Sequence, residues 1–243
     1  MPTNEPGPGY AAVVAGATGV CGRDMVARLL TSSRCTKVTC LVRDVGKAHA
    51  RLSTNSAGKP IADASSKLVL KAVDWEVLCQ TDRATDEWKE LVAGHSLAFN
   101  CLGTTKKDAG GARGFKRVDL DYVNSFARAC KQNGVTGYAV VSSAGADPTS
   151  FFLYLKTKGL ADQTAGNLGF DQCIILRPGL LRRGDSSRPI EKLAHCLGSK
   201  GFPPATIANA VVNHFESVHH EYIGGTTSMM VANEAKLRVW DAM

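Results

Sequence analysis

No stretch of this 243-residue chain approaches the run of about 20 apolar residues that a membrane-spanning helix needs. The first nine residues, Met1 to Gly9, carry three prolines and two glycines and no hydrophobic stretch, so they read as a disordered tail and not as a secretory leader. A soluble, cytoplasmic protein with no membrane partner is the expectation. The chain also lacks any C-x-x-C, and its eight cysteines are scattered at positions 21, 35, 40, 79, 101, 130, 173 and 196. That spacing does not suit zinc, and it fits reduced thiols, with Cys40, Cys101 and Cys173 lying in apolar runs as small hydrophobes. His219-His220 is the one tight histidine pair, and neighbours in sequence seldom share a metal, so no metal site is expected. The net charge of +7 comes without a basic run interleaved with aromatics, so nothing marks a stacking platform for nucleic acid. The same charge suits an anionic dinucleotide. No internal repeat is visible.

What the chain does have, near its N-terminus, is glycine at a telling spacing. Ala12-Val13-Val14-Ala15 reads as a buried strand, and Met25, Val26, Leu29 and Leu30 fall on one face of a helix. Between them lies Gly16-Ala17-Thr18-Gly19-Val20-Cys21-Gly22. Gly16 would make the sharp turn, Gly19 would let the main chain approach a pyrophosphate, and Gly22 would let helix and strand pack closely. The first-turn amides of the helix would then meet the phosphates. This predicts cofactor contacts from Gly16, Ala17, Thr18, Gly19, Val20 and Gly22. The order G-x-x-G-x-x-G belongs to short-chain dehydrogenases more than to the general dinucleotide fingerprint.

The next strand, Lys37 to Arg43, ends on a guanidinium where an NAD enzyme tends to place an acid for the ribose 2′-hydroxyl. Arg43 suits a 2′-phosphate by charge and forked geometry, which points to NADP(H). Asp44 follows, and could receive a ribose hydroxyl or face solvent. The third strand, Leu68 to Val73, ends at Asp74, which could accept from the adenine amino group.

Further strands are expected at 97–101, 138–142 and 172–176, giving six that alternate with helical segments, among them Val118 to Gln132. That rhythm predicts a Rossmann-type α/β domain over 10–181 with a doubly wound parallel sheet. After Leu181 the rhythm fades into two helical stretches, near Pro189 to Leu197 and Pro204 to Glu216. Residues 182–243 are therefore expected to form a small, mostly helical lobe serving as a substrate lid.

Tyr154 and Lys158 lie four residues apart, so on a helix they share one face, just after the pair Ser142-Ser143. A free phenol titrates near ~10, and an adjacent ammonium favours its ionised form. Tyr154 would donate a proton to a reduced carbonyl, with Ser143 or Ser142 holding the substrate oxygen. Which serine does so is open, because one residue along a strand turns the side chain to the other face.

Together these residues resemble the short-chain dehydrogenase/reductase superfamily, and within it the NADPH-binding, Tat-interactive oxidoreductase-like branch. The resemblance is carried by Gly16-Ala17-Thr18-Gly19 with Gly22-Arg23, Cys101-Leu102-Gly103-Thr104-Thr105, Ser142-Ser143, Tyr154 with Lys158-Gly159, Arg177-Pro178-Gly179 and Ser187-Arg188-Pro189. It implies that Leu102, Gly103, Thr104, Tyr154 and Lys158 contact the cofactor, that Pro178 and Gly179 lie beside the nicotinamide, that Lys158 bonds the nicotinamide ribose, and that Arg188 reaches the site. Relatives commonly carry a second basic residue where this chain has Asp44. The implied activity is reduction of a small-molecule carbonyl. The alternative is an NADPH-binding redox sensor with little turnover that presents a surface to protein partners.

Overall fold

In a computed structural model of the protein, the described residues are 8–61, 66–80, 86–182, 201–218 and 228–242. β1 (Tyr10–Ala15) leads through the glycine turn into α1 (Val20–Thr31), and β2 (Cys35–Val42) into α2 (Val45–Arg51). β3 (Leu68–Ala72) is followed by α3 (Trp75–Leu78), α4 (Asp86–Val92) and β4 (Leu97–Asn100). α5 (Ala112–Lys116) continues through a π-helical segment (Arg117–Tyr122) into α6 (Val123–Gln132), ahead of β5 (Gly137–Val141). Then come α7 (Leu153–Asn167), β6 (Gln172–Leu176), α8 (Pro204–Val218), β7 (Ser228–Ala232) and α9 (Glu234–Asp241).

Among the described residues the strands form one parallel sheet in the order β3-β2-β1-β4-β5-β6-β7. The order reverses between β1 and β4, and the crevice above their carboxyl ends is where such sheets bind ligands. Alternation along β1 builds both layers of the core. Ala12 and Val14 face Met25, Val26 and Leu29 of α1 with Val211 and Phe215 of α8, whereas Val13 and Ala15 face Trp88, Leu91 and Phe126. Side chains of this size, fully buried, contribute about 1.5–3 kcal/mol each.

The expected Rossmann architecture is present, with two differences of detail. First, a seventh strand joins the six: β7 pairs with β6 in the register Ile174↔Met230. Its segment, Ser228-Met229-Met230-Val231-Ala232, is short and holds one β-branched residue, so periodicity alone does not reveal it. The chain beyond Leu181 is mostly helical where described, and it is also part of the sheet and its layers. Glu216 of α8 accepts from Tyr10 (2.7 Å), from Arg28 of α1 (3.2 Å) and from Ser32. The helix expected over 189–197 lies outside the described residues.

Second, the helix expected from Val118 starts at Ala112 and carries a π-helical turn. Gly114 sits inside it because a Cβ there would come within 2.0 Å of the Ala109 carbonyl oxygen. Glycine's usual cost in a helix is overridden by that close approach. π turns of this kind often occur at functional sites.

Candidate functional site

The glycine turn follows from sterics. Gly16 has φ +76°, and a Cβ on it would lie 2.5 Å from the Cys101 carbonyl carbon, so the end of β1 packs directly on the end of β4. Cys101 N donates to Ala15 O at 2.8 Å across the same junction. At Gly22 a Cβ would stand 2.1 Å from Gly16 O, which leaves no room for a side chain between turn and helix. Gly19 caps α1, and its N–H closes the turn onto Gly16 O at 3.1 Å. Gly19, Val20 and Cys21 line a cleft of about 390 Å³ at the sheet's switch point. Gly16, Ala17, Thr18 and Gly22 shape that turn without lining the cleft.

The opposite wall is the loop after β4, where Leu102, Gly103 and Thr104 line the same cleft. The loop is fixed from below. Asn100, fully buried, accepts from Leu102 N at 3.2 Å and donates to Tyr138 Oη at 2.9 Å. Asp119, on the π-helical segment, accepts from Thr104 N at 2.8 Å through Oδ2, and its Oδ1 lies 2.9 Å from Lys158 Nζ. A side chain on Gly103 would meet Asp119 and Lys158 at ordinary contact distances of 3.5 and 3.7 Å. The protein itself therefore tolerates a Cβ at Gly103, and its absence leaves the floor of the cleft open to a flat or elongated ligand.

α7 delivers the expected pair. Tyr154 and Lys158 lie one turn apart and both line the cleft, with the Tyr154 ring 5.9 Å from that of buried Phe115. Ser142 and Ser143 line it as well, in different settings. Ser142 is buried, its hydroxyl beside the Asp162 carboxyl, whereas Ser143 is half-buried and donates to the Ala144 carbonyl at 3.2 Å. Burial pushes the Asp162 carboxyl up from its ordinary range, with the Ser142 hydroxyl and the Arg177 guanidinium pulling the other way. Arg177 Nε donates to Asp162 Oδ2 at 2.9 Å and ties α7 to the end of β6. Pro178 follows into the cleft wall, its carbonyl accepting from Ala144 N at 2.8 Å; Gly179 is not part of the lining.

Outside the cleft, Arg43 is exposed just beyond the end of β2. The two acids near it in the reading of the sequence are committed to helix starts. Asp44 caps α2, accepting from Lys47 N at 2.9 Å and pairing with Lys47 Nζ at 3.5 Å, and the backbone bond to Lys47 chiefly holds its carboxyl below the usual range. Asp74 caps α3, accepting from Glu76 N at 2.8 Å and Val77 N at 3.4 Å. Arg188 lies outside the described residues.

Neither Asp119 nor Asp162 was expected as a site residue. Asp162 had a signal, since it follows Lys158 by one further turn; Val118-Asp119 is among the residues that match the family, and that match gave Asp119 no role. A second cavity, about 380 Å³, lies along α6 beside Cys79, Trp88, Arg117 and Asn124 and shares no lining residue with the cleft. Among the described residues no group of histidine, cysteine, aspartate or glutamate is placed to hold a metal ion.

A glycine-turned β1–α1 junction at the switch point of a parallel sheet, with Tyr154 and Lys158 across the cleft, defines a Rossmann-type, NAD(P)H-binding protein of the oxidoreductase kind. A family described as NAD(P)H-binding matches residues 16–217. Protein HTATIP2 of Rattus norvegicus is 34% identical over 214 residues, which cover 84% of this chain and 80% of that protein. The mitochondrial protein FMP52 of Candida albicans is 33% identical over 172 residues, covering 69% of this chain and 66% of its own length. Among solved structures, a short-chain dehydrogenase/reductase from Mycobacterium ulcerans has the same fold, with a TM-score of 0.67 at 15% identity, covering 95% of this chain and 90% of that one. The chain belongs to the NAD(P)H-binding family and, within it, to the Tat-interactive oxidoreductase-like proteins. One expectation is overturned. FMP52 of Candida albicans and further fungal relatives are named mitochondrial, which counts against a cytoplasmic location.

Proposed function

We propose that the protein is an NADPH-dependent reductase of small-molecule carbonyl compounds. The observation that carries this reading is the presence of Tyr154, Lys158 and Ser143 on the wall of one cleft with Gly19 and Val20 of the glycine turn. The residues fit a dinucleotide: Gly16 and Gly22 leave no room for side chains in the turn, and Gly103 adds none to the cleft wall. Gly19 and Val20 hold the pyrophosphate, Leu102 and Gly103 flank the nicotinamide half, and Pro178 closes that half from β6. Arg43 takes the 2′-phosphate. The Asp44 carboxylate is spent on α2 and Lys47 and is not offered to a ribose hydroxyl, so the guanidinium of Arg43 decides the preference, which favours NADPH over NADH.

When bound, the dinucleotide supplies a hydride. Tyr154 gives its phenolic proton to the carbonyl oxygen, so that the carbonyl leaves as an alcohol and the phenol is reprotonated from solvent. The Ser143 hydroxyl turns from the Ala144 carbonyl to the substrate oxygen and stabilises the charge that grows there. Lys158, held by Asp119, keeps its ammonium at the cofactor ribose beside Tyr154. The names of the fungal relatives favour mitochondria as its location.

Oxidation of NADPH by a panel of aldehydes, ketones and quinones tests the activity. Turnover with at least one class is expected. Tight NADPH binding without turnover of any of them would transfer the site to a redox-sensing role.

A further inference from the structure

The part of the cleft that faces the substrate carries almost no charge. Among the described lining residues, Asp119 and Lys158 alone are ionisable acids or bases of opposite sign, and they are paired with each other. Among the described lining residues nothing else is placed to recognise a carboxylate or a phosphate. The remaining lining is apolar or hydroxylic, including Val141, Leu180 and Leu181.

The rim continues in the same vein. Nine large apolar side chains stand exposed among the described residues; two of them, Tyr154 and Leu180, line the cleft, and Phe151 and Phe152 directly precede the helix that carries Tyr154. Phe151 is 104% and Phe152 74% exposed, the two highest values of the set. Single exposed hydrophobics mean little, but an exposed aromatic pair at the start of a cleft-lining helix is placed to extend a binding surface. The pair is also held in place. Asp147 bonds Thr149 N at 2.8 Å and takes the Ser150 amide on its carbonyl at 3.1 Å, and Phe152 N donates to Ser150 Oγ at 3.2 Å. Pro148 packs on Gly159 of α7 so closely that a Cβ there would lie 2.2 Å from Pro148 N. The two rings are thus presented by an ordered turn at the start of the helix that carries Tyr154.

We infer that the substrate is an uncharged carbonyl compound with an apolar tail, its carbonyl at Tyr154 and Ser143 and its tail lying over Leu180 toward Phe152 and Phe151. This rests on the carbonyl-reductase reading for the placement of the reacting group. The tail site itself rests on the uncharged lining and the aromatic rim. Exclusion of water from such a tail is what would bind it.

Two series test it with the NADPH-loaded full chain. Straight-chain aldehydes from propanal to octanal, with succinic semialdehyde as a charged member, are followed by NADPH oxidation. The unreactive amides from propanamide to octanamide are followed by calorimetry. Both kcat/KM and amide affinity should rise about two- to four-fold per methylene, and the charged aldehyde should fall at least about ten-fold below pentanal. Phe151→Ser with Phe152→Ser, both at exposed positions, should flatten both series. A flat series, or preference for succinic semialdehyde, overturns the inference while leaving carbonyl reduction intact. Amides that bind with the predicted length dependence in a protein that turns over no aldehyde, ketone or quinone support the apolar site and remove the reductase reading. Flat amide binding without turnover removes both.

Discussion

Lys158 Nζ lies 2.9 Å from Asp119 Oδ1, and both side chains are buried in the wall of the cleft. The pair joins α7, which carries Tyr154, to the π-helical segment and, through Thr104 N, to the loop after β4. Three walls of the cofactor cleft are therefore set by one carboxylate.

Replacing Asp119 with Asn keeps an acceptor for Thr104 and removes the counter-charge of a buried ammonium. Breaking such a pair from one side costs roughly 3 kcal/mol. Urea denaturation should show a loss of that order, and NADPH affinity should fall about ten-fold. Wild-type stability with wild-type affinity would show that the pair does not hold the cleft.

Arg43→Ala tests cofactor choice. A charge-assisted bond to a phosphate is worth about 1.5–3 kcal/mol, so NADPH binding should weaken by about 10- to 100-fold while NADH binding barely changes. Fluorescence titration of both cofactors measures this. Equal affinities of the unaltered protein for NADPH and NADH would remove the role given to Arg43.

Gly22→Ala places a methyl group where Gly16 O stands 2.1 Å away. The turn and α1 must separate to admit it. Dinucleotide binding should be lost even in protein that remains folded by circular dichroism, and retained binding would contradict the packing role of Gly22.

Much of this site was legible in the chain because the features that report it are local. Gly16, Gly19 and Gly22 follow one another at a fixed spacing in one strand-to-helix turn, even though Gly16 also makes room for Cys101, and Tyr154 with Lys158 needs one turn of one helix. Features formed between distant segments were not legible. Asp44 and Asp74 looked available to the cofactor because a sequence does not display which carboxylate the next helix uses as its cap. Asp119 meets Lys158 between two separate helical segments, a contact that the period of neither one displays. β7 depends on pairing with β6, and its own five residues carry little strand character.

His95 provides a pH test of the fold away from the cleft. It is buried between the Val92 carbonyl (3.0 Å) and Thr39 Oγ1 (2.8 Å), and burial is the main cause that lowers its pKa. In the unfolded chain it takes up a proton near its ordinary value of ~6.5, which the native state refuses. Stability is therefore lost as the pH falls from about 6.5 toward the lower folded value. The melting temperature of His95→Gln should decline less steeply than that of the unaltered protein between about pH 6.5 and 5.5. Parallel declines would mean that His95 is not held neutral.

The claim at the centre is that Tyr154 donates the proton in carbonyl reduction, and Tyr154→Phe tests it most directly. The substitution keeps the ring against Phe115 and removes the hydroxyl. NADPH-dependent turnover of an accepted carbonyl should fall by about 100-fold or more, with NADPH affinity by titration nearly unchanged. Turnover equal to that of the unaltered protein would contradict the assignment.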